Sequence, residues 1–238
     1  MRKMEKNGKN EKTGRMRILA FSDLHDEEDA FERLKAVYSD PISSGSIPSD
    51  SKFDAVFVLG DTTNGSYTFL ESVVSSFKNC FFIPGNNESE EVVDRASKLD
   101  GYLHGKTAKL GAFSVAGFGM SPPTPFNTHG EISEEEMYVG LSRLSVASNT
   151  ILLTHCPPRG VFDEVDQGRG HAGSSAILKF INEKKPFAHF CGHIHEHGGI
   201  NKVGETHVIK VPAAKDYRYC VAEIDNRTRK VDAEFFSL

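Results

Sequence analysis

Six residues, Cys191-Gly192-His193-Ile194-His195-Glu196, end an apolar run, turn at a glycine and present two imidazoles two positions apart. On an extended backbone residues i and i+2 point to the same side, so both rings can face one pocket, and neutral imidazole is the commonest metal-binding side chain. Taken alone, the pair reads more simply as two exposed loop histidines holding nothing. Four other stretches answer it. Asp23-Leu24-His25 sets a carboxylate and an imidazole two residues apart, Gly60-Asp61 offers a second carboxylate, Gly85-Asn86-Asn87 an amide oxygen, and Thr154-His155-Cys156-Pro157-Pro158 an imidazole that cannot immediately start a helix.

Each of these groups follows a short apolar run. Residues 17–22, 54–59, 80–83, 150–154 and 187–191 read as buried strands, and apolar residues at helical spacing follow over 27–38, 66–77, 88–99, 132–147 and 176–182. Strand, loop and helix in alternation predict βαβ units, and open α/β sheets bind ligands at the C-terminal ends of their strands. Four further strands, over 199–203, 206–211, 217–225 and 230–236, close the chain as a meander. Local chemistry offers rival explanations one at a time: Asp23 and Asn87 could cap the helices that follow them, and Asp61 could be turn composition. It does not explain why metal-competent groups recur at the same end of five strands.

With 238 residues, 38% of them hydrophobic, the chain can bury the core of one domain, expected over 16–238, with the lysine-rich residues 1–15 as a polar tail. A net charge of −5 disfavours a protein that grips duplexes by neutralising phosphates, although a nucleic-acid substrate stays open. Cys80, Cys156, Cys191 and Cys220 stand singly, without C-x-x-C spacing. That usage, with no apolar run of membrane length and no signal-peptide centre, predicts a cytoplasmic protein without a membrane span. His104 and His129 read as surface histidines, the Gly/Pro-rich 117–130 loop as a pocket wall or lid, and Glu134-Glu135-Glu136 as a solvated helix face. Ser174 either caps the helix that follows it or, with Arg169, His171 and the exposed helix amides, receives a phosphate oxygen.

Asp23, His25, Asp61, Asn86, His155, His193 and His195 form a mixed oxygen and nitrogen set larger than one cation needs, while two cations sharing a carboxylate would use all of it, with Asp61 the natural bridge. D-x-H, G-D, G-N-x-E, T-H and G-H-x-H, in this order, resemble the calcineurin-like metallophosphoesterases over most of residues 18–195. The stretches around His155, His171 and His193 are most similar to small prokaryotic Icc-type phosphoesterases. The resemblance implies an α/β fold, a four-layer α/β/β/α sandwich of two mixed β-sheets flanked by helices. It also implies one divalent metal on Asp23, His25 and His195, a second on Asn86, His155 and His193, and Asp61 between them. Two-metal chemistry would let a water between the cations lose a proton near neutral pH and attack phosphorus in line. Manganese leads the candidate metals, and iron, zinc, cobalt or nickel also suit such ligands.

Many members of that family carry a histidine directly after the motif asparagine, where it protonates the leaving oxygen; here that position is Asn87, and an amide is no general acid. His171 and His197 are the candidate replacements, beside Asp61 and Asn86 in the catalytic set, while Asn87, Arg169, His171 and Ser174 are expected to touch substrate. The expected reaction is hydrolysis of a small phosphate ester, with phosphodiesters favoured. The alternatives are a monoesterase or nuclease of the same fold, or a metal-holding interaction module without turnover, as in family members resembling retromer subunits. Thr62-Thr63-Asn64-Gly65 lacks the arginine that Ser/Thr phosphatases of the wider family carry there, which argues against a protein phosphatase.

Overall fold

A computed structural model describes residues 14–40, 52–165 and 170–238. The first half runs β1 (Arg15–Phe21), α1 (Glu28–Ser39), β2 (Ala55–Val58), α2 (Tyr67–Ser75), β3 (Cys80–Phe82), α3 (Glu90–Ala96), β4 (Lys106–Leu110) and β5 (Phe113–Phe118). The second runs α4 (Glu134–Ser142), β6 (Thr150–Thr154), β7 (Glu164–Val165), β8 (Gly170–His171), α5 (Ser175–Lys184), β9 (Ala188–Cys191), β10 (Gly199–Val203), β11 (Thr206–Lys210), β12 (Arg218–Asp225) and β13 (Lys230–Ser237). Two large mixed sheets result, ordered β13-β12-β1-β2-β3 and β10-β11-β9-β6-β5-β4, with β7 and β8 a small hairpin apart.

The sandwich follows from strands that are apolar on both faces. Along β1, Ile18 and Ala20 enter a core shared with Phe57, Ile151, Leu153 and Phe190 of both sheets, while Leu19 and Phe21 pack outward with Phe31, Leu34 and Val73 of α1 and α2. On the second sheet Ala116 and Leu152 meet Met137 and Leu141 of α4 and Phe180 of α5. Helices therefore cover both outer faces, giving the α/β/β/α layering. β1, β2 and β3 are mutually parallel, as are β5, β6, β9 and β11. Consequently the C-terminal ends of the parallel strands within each sheet lie together.

Several local expectations are corrected. Ser89, not Asn87, caps α3, its side chain accepting the Val92 amide. No side chain caps α1, so Asp23 is free of that role. α4 is shorter than expected at both ends: Ser133 and Glu136 close a capping box that sets its start, and Arg143 is its C-cap. Arg15 opens β1 opposite Asp225 with an ion pair of 3.1 Å; residues 1–13 lie outside the described part of the chain. His104 is no surface histidine: its ring packs on Phe118 at 4.7 Å, it accepts the Gly119 amide at 3.0 Å, and burial pushes it down to about 4. The four cysteines are free and buried.

Candidate metal centre

The loops that leave the strands are built to converge. Asp23 donates its amide to the Gly60 carbonyl at 3.0 Å and His25 to that of Asp61 at 3.0 Å, which stitches the loop after β1 to the loop after β2. The second sheet joins through His155, whose Nδ1 donates to the Leu59 carbonyl at 2.7 Å, and through His193, whose amide donates to Asp23 Oδ2 at 2.9 Å. Asp23, His25, Asp61 and His193, four of the seven candidate ligands, have φ between 48° and 75°. Each such left-handed non-glycine residue costs about 1–3 kcal/mol, a strain that concentrates at functional sites. Two glycines are sterically required here. A Cβ on Gly85 would collide with Asp61 Oδ1, and one on Gly192 would strike Ser22 Oγ and lie 2.8 Å from Asp23 Oδ2.

The candidate ligand atoms gather in two groups, Asp23 with His25 and His195, and Asp61 with His155 and His193, each with its atoms within 4.8 Å of one another. Asp61 Oδ2 connects them, lying 3.7 Å from His25 Nε2 and 3.5 Å from His155 Nε2. The extended-backbone argument for His193 and His195 does not hold, because His193 is left-handed (φ 75°). The turn splits the pair: His193 Nδ1 lies 3.1 Å from His155 Nε2, and His195 Nε2 lies 3.3 Å from Asp23 Oδ1. Asn86 turns its Oδ1 to within 2.9 Å of His155 Nε2 because its Nδ2 donates to Thr128 Oγ1 at 2.9 Å.

Supporting contacts set the ring orientations. The Leu59 carbonyl holds the proton of His155 on Nδ1, and Asn64 Oδ1, 2.8 Å from His25 Nδ1, does the same for His25, so Nε2 of each ring faces the cluster. Burial works against the charge of Asp61, but His155 outweighs it and draws the carboxyl down to about 2. Burial likewise opposes a charged His155, yet Asp61 and Asp23 push it up to about 9. Asp23 Oδ1 and His25 Nε2 are buried and make no hydrogen bond. Orphaned polar atoms of that kind need a partner, and a donor set of carboxylate and imidazole facing them suits a divalent cation.

The cluster floors a cavity of about 320 Å³ lined by His25, Asp61, Asn86, Asn87, Phe126, Thr128, His193 and His195. Asn87 is in it, donating its amide N–H to Asp61 Oδ1 at 2.9 Å and its side-chain Nδ2 to Asp61 Oδ2. The 117–130 loop supplies Phe126 and Thr128 and so forms a wall. His171 and His197 are not among the lining residues: His171 Nδ1 is 2.9 Å from Asp163 Oδ1, and His197 Nε2 donates to the Glu164 carbonyl at 2.7 Å, both beside the β7–β8 hairpin. Ser174 is wholly buried and its Oγ caps α5 while donating to Glu134 Oε2 at 2.7 Å. Glu134 also accepts the Ser175 and Ala176 amides at 2.9 and 2.8 Å, so it takes the anion place at that helix start and is not part of a solvated face. Arg169 lies outside the described residues.

Two contributors escaped the sequence reading. Glu88, the acid of G-N-x-E, is buried and accepts amides from both ligand loops, Gly85 at 2.8 Å and Thr62 at 2.7 Å among them. Burial and the neighbouring Asp61 push it up to about 7, with the amides pulling the other way. Lys210, also wholly buried, donates from Nζ to the Val211 carbonyl at 2.9 Å and the His197 carbonyl at 3.5 Å, tying down the loop that carries His195. The motif held a signal for Glu88; a lysine in a closing strand held none.

Residues 16–197 match the family model of the calcineurin-like phosphoesterases. The chain belongs to that family. This phosphoesterase is 34% identical over 173 residues to the uncharacterized protein MJ1162 of Methanocaldococcus jannaschii, an alignment covering 69% of this chain and 79% of that one. Its fold is similar to TT1561 of Thermus thermophilus (TM-score 0.66, 17% identity, 92% of this chain and 98% of that one). It is also similar to a dimetal phosphatase from Danio rerio (TM-score 0.56, 9% identity, 89% and 93%) and to a 5'-nucleotidase from Candida albicans (TM-score 0.60, 9% identity, 93% of this chain and 51% of that one). The family is dimetal-dependent, and the two ligand groups of this member are candidates for such a pair. Among the described residues no helix is long and apolar enough to cross a membrane.

Proposed function

We propose that this phosphoesterase hydrolyses small phosphodiesters, with Asp23, His25 and His195 holding one divalent cation, Asn86, His155 and His193 the other, and Asp61 shared. The placement of Asp61 Oδ2 between His25 Nε2 at 3.7 Å and His155 Nε2 at 3.5 Å carries this reading. When bound, the two cations supply positive charge to the phosphoryl oxygens and acidify a water beside them. Manganese is the first candidate, and iron, zinc, cobalt and nickel suit the same ligands.

The cavity favours a diester over a monoester for two reasons. Every titratable side chain lining it is a proposed metal ligand, and Asn87 stands where a general acid would be, so a poor leaving group would depart without a proton. No lysine or arginine lines it among the described residues, so a monoester dianion would find no counter-charge beyond the metals, whereas a diester brings only one negative charge. The same lack of cations argues against a nucleic-acid strand. The buried free cysteines support a cytoplasmic setting.

The test is hydrolysis of bis(p-nitrophenyl) phosphate against p-nitrophenyl phosphate by metal-stripped protein reconstituted with manganese, with Asp61→Ala as control. Metal-dependent cleavage of the diester in preference to the monoester, lost together with metal loading in Asp61→Ala, is expected. Full activity in that variant would overturn the ligand assignment. Binding of cations without turnover of either ester would leave a metal-holding interaction module in place of an enzyme.

A further inference from the structure

Large apolar side chains are seldom left in water on this protein. Among the described residues three are exposed, Phe126 at 81%, Val139 at 45% and Ile200 at 40%. Isolated exposed apolar residues are ordinary on protein surfaces. Phe126 differs from the other two in place, because it lines the cavity that holds the metal-competent cluster. It differs too in how its loop is held. Its amide donates to Thr124 Oγ1 at 3.1 Å, and Thr124 and Thr128 both donate their hydroxyls to Glu131 Oε1 at 2.6 Å. Thr128 in turn accepts the Asn86 side chain at 2.9 Å, so the segment carrying the ring is anchored on a candidate ligand. Pro122, Pro123 and Pro125 restrict the backbone further.

An aromatic residue on a backbone held in advance loses less freedom when a ligand arrives. The other lining side chains are polar, so a phosphate drawn to the ligand cluster would leave its ester substituent beside the one apolar group of the wall. We propose that Phe126 stacks on a flat non-leaving substituent of the ester and makes diesters with a nucleoside or aryl group in that position the preferred substrates. This rests on the phosphodiesterase reading of the same site. Stacking is tolerant of which base is presented, since every base has a π-face, so the selection is for an aromatic class and not for one base.

Three diesters with one chromophore and one leaving group test it: the p-nitrophenyl ester of thymidine 5'-monophosphate, phenyl p-nitrophenyl phosphate and methyl p-nitrophenyl phosphate. With manganese-loaded protein, Phe126→Ala should lower kcat/KM on the first two about tenfold more than on the methyl ester, through KM, and Phe126→Trp should restore it. Losses equal across the three, or no loss on any, would overturn the proposal. Calorimetry supplies an independent arm with adenosine 5'-monophosphate and inorganic phosphate as probes. The loaded wild type should bind the nucleotide at least about tenfold tighter than phosphate, and Phe126→Ala should lose that margin. If no ester is turned over, the phosphodiesterase reading falls, while a Phe126-dependent margin in calorimetry upholds the stacking site and its absence removes it.

Discussion

The Glu88 carboxylate sits beneath Asp61 and accepts its backbone amide at 3.2 Å, together with those of Thr62, Thr63 and Gly85. One buried acid thereby holds the loop carrying Asp61 against the loop carrying Asn86. Replacing it by Gln presents an N–H to donors that need an acceptor. Glu88→Gln should cost about 1–3 kcal/mol of stability. By loosening both loops it should also weaken manganese binding about 10–100-fold. Urea unfolding and manganese calorimetry check the two effects; tight metal binding in a folded Glu88→Gln protein would show that the loops hold without it.

Asn87 touches Asp61 from the cavity side with both its backbone and side-chain N–H groups. If the missing acid is what confines this enzyme to good leaving groups, Asn87→His should flatten the dependence of rate on leaving-group pKa by up to about 10²–10⁴-fold at the poorest leaving group. A series of substituted phenyl diesters reads this slope, and an unchanged slope counts against Asn87 as its cause.

Glu134 receives the Ser174 hydroxyl and the Ser175 and Ala176 amides at the start of α5. A carboxylate there satisfies helix donors that otherwise lack partners. Glu134→Ala should lower the stability of the fold by about 1–3 kcal/mol. The urea midpoint should fall at unchanged slope. Activity at saturating metal should persist in the folded fraction, because nothing on that helix start lines the cavity.

His189 on β9 is wholly buried, its Nε2 2.6 Å from Thr154 Oγ1 and its Nδ1 without a hydrogen bond, and burial pushes it down to about 3. Its unfolded value is about 6.5, so above that pH both states are neutral and His189 adds no pH dependence. Between the two values the unfolded chain binds a proton that the native state refuses, and stability falls by roughly 1.4 kcal/mol per pH unit on acidification. His189→Gln does not titrate, so its stability relative to wild type should improve by that amount per unit from about pH 6 to about pH 4. A difference that stays constant with pH would assign the acid sensitivity elsewhere.

How much was legible in the sequence varies residue by residue. Apolar runs ended by Asp23, Asp61, Asn86, His155 and Gly192 announced strands and placed polar groups at their ends, because burial on two faces demands continuous apolar composition. The motif order carried the family, and with it the layers. The β7–β8 hairpin escaped because two-residue strands have no periodicity to detect.

By itself, then, the sequence determined the strand ends, the types of the candidate ligands and the absence of a histidine at position 87. The tertiary structure decided how they combine. It divided His193 from His195 through a left-handed turn, gave the Ser174 helix start to a glutamate 40 residues earlier, packed a half-buried His104 on Phe118 and placed Phe126 on the wall of the cavity. Those outcomes depend on contacts between residues far apart in the chain, and local composition and spacing do not encode them.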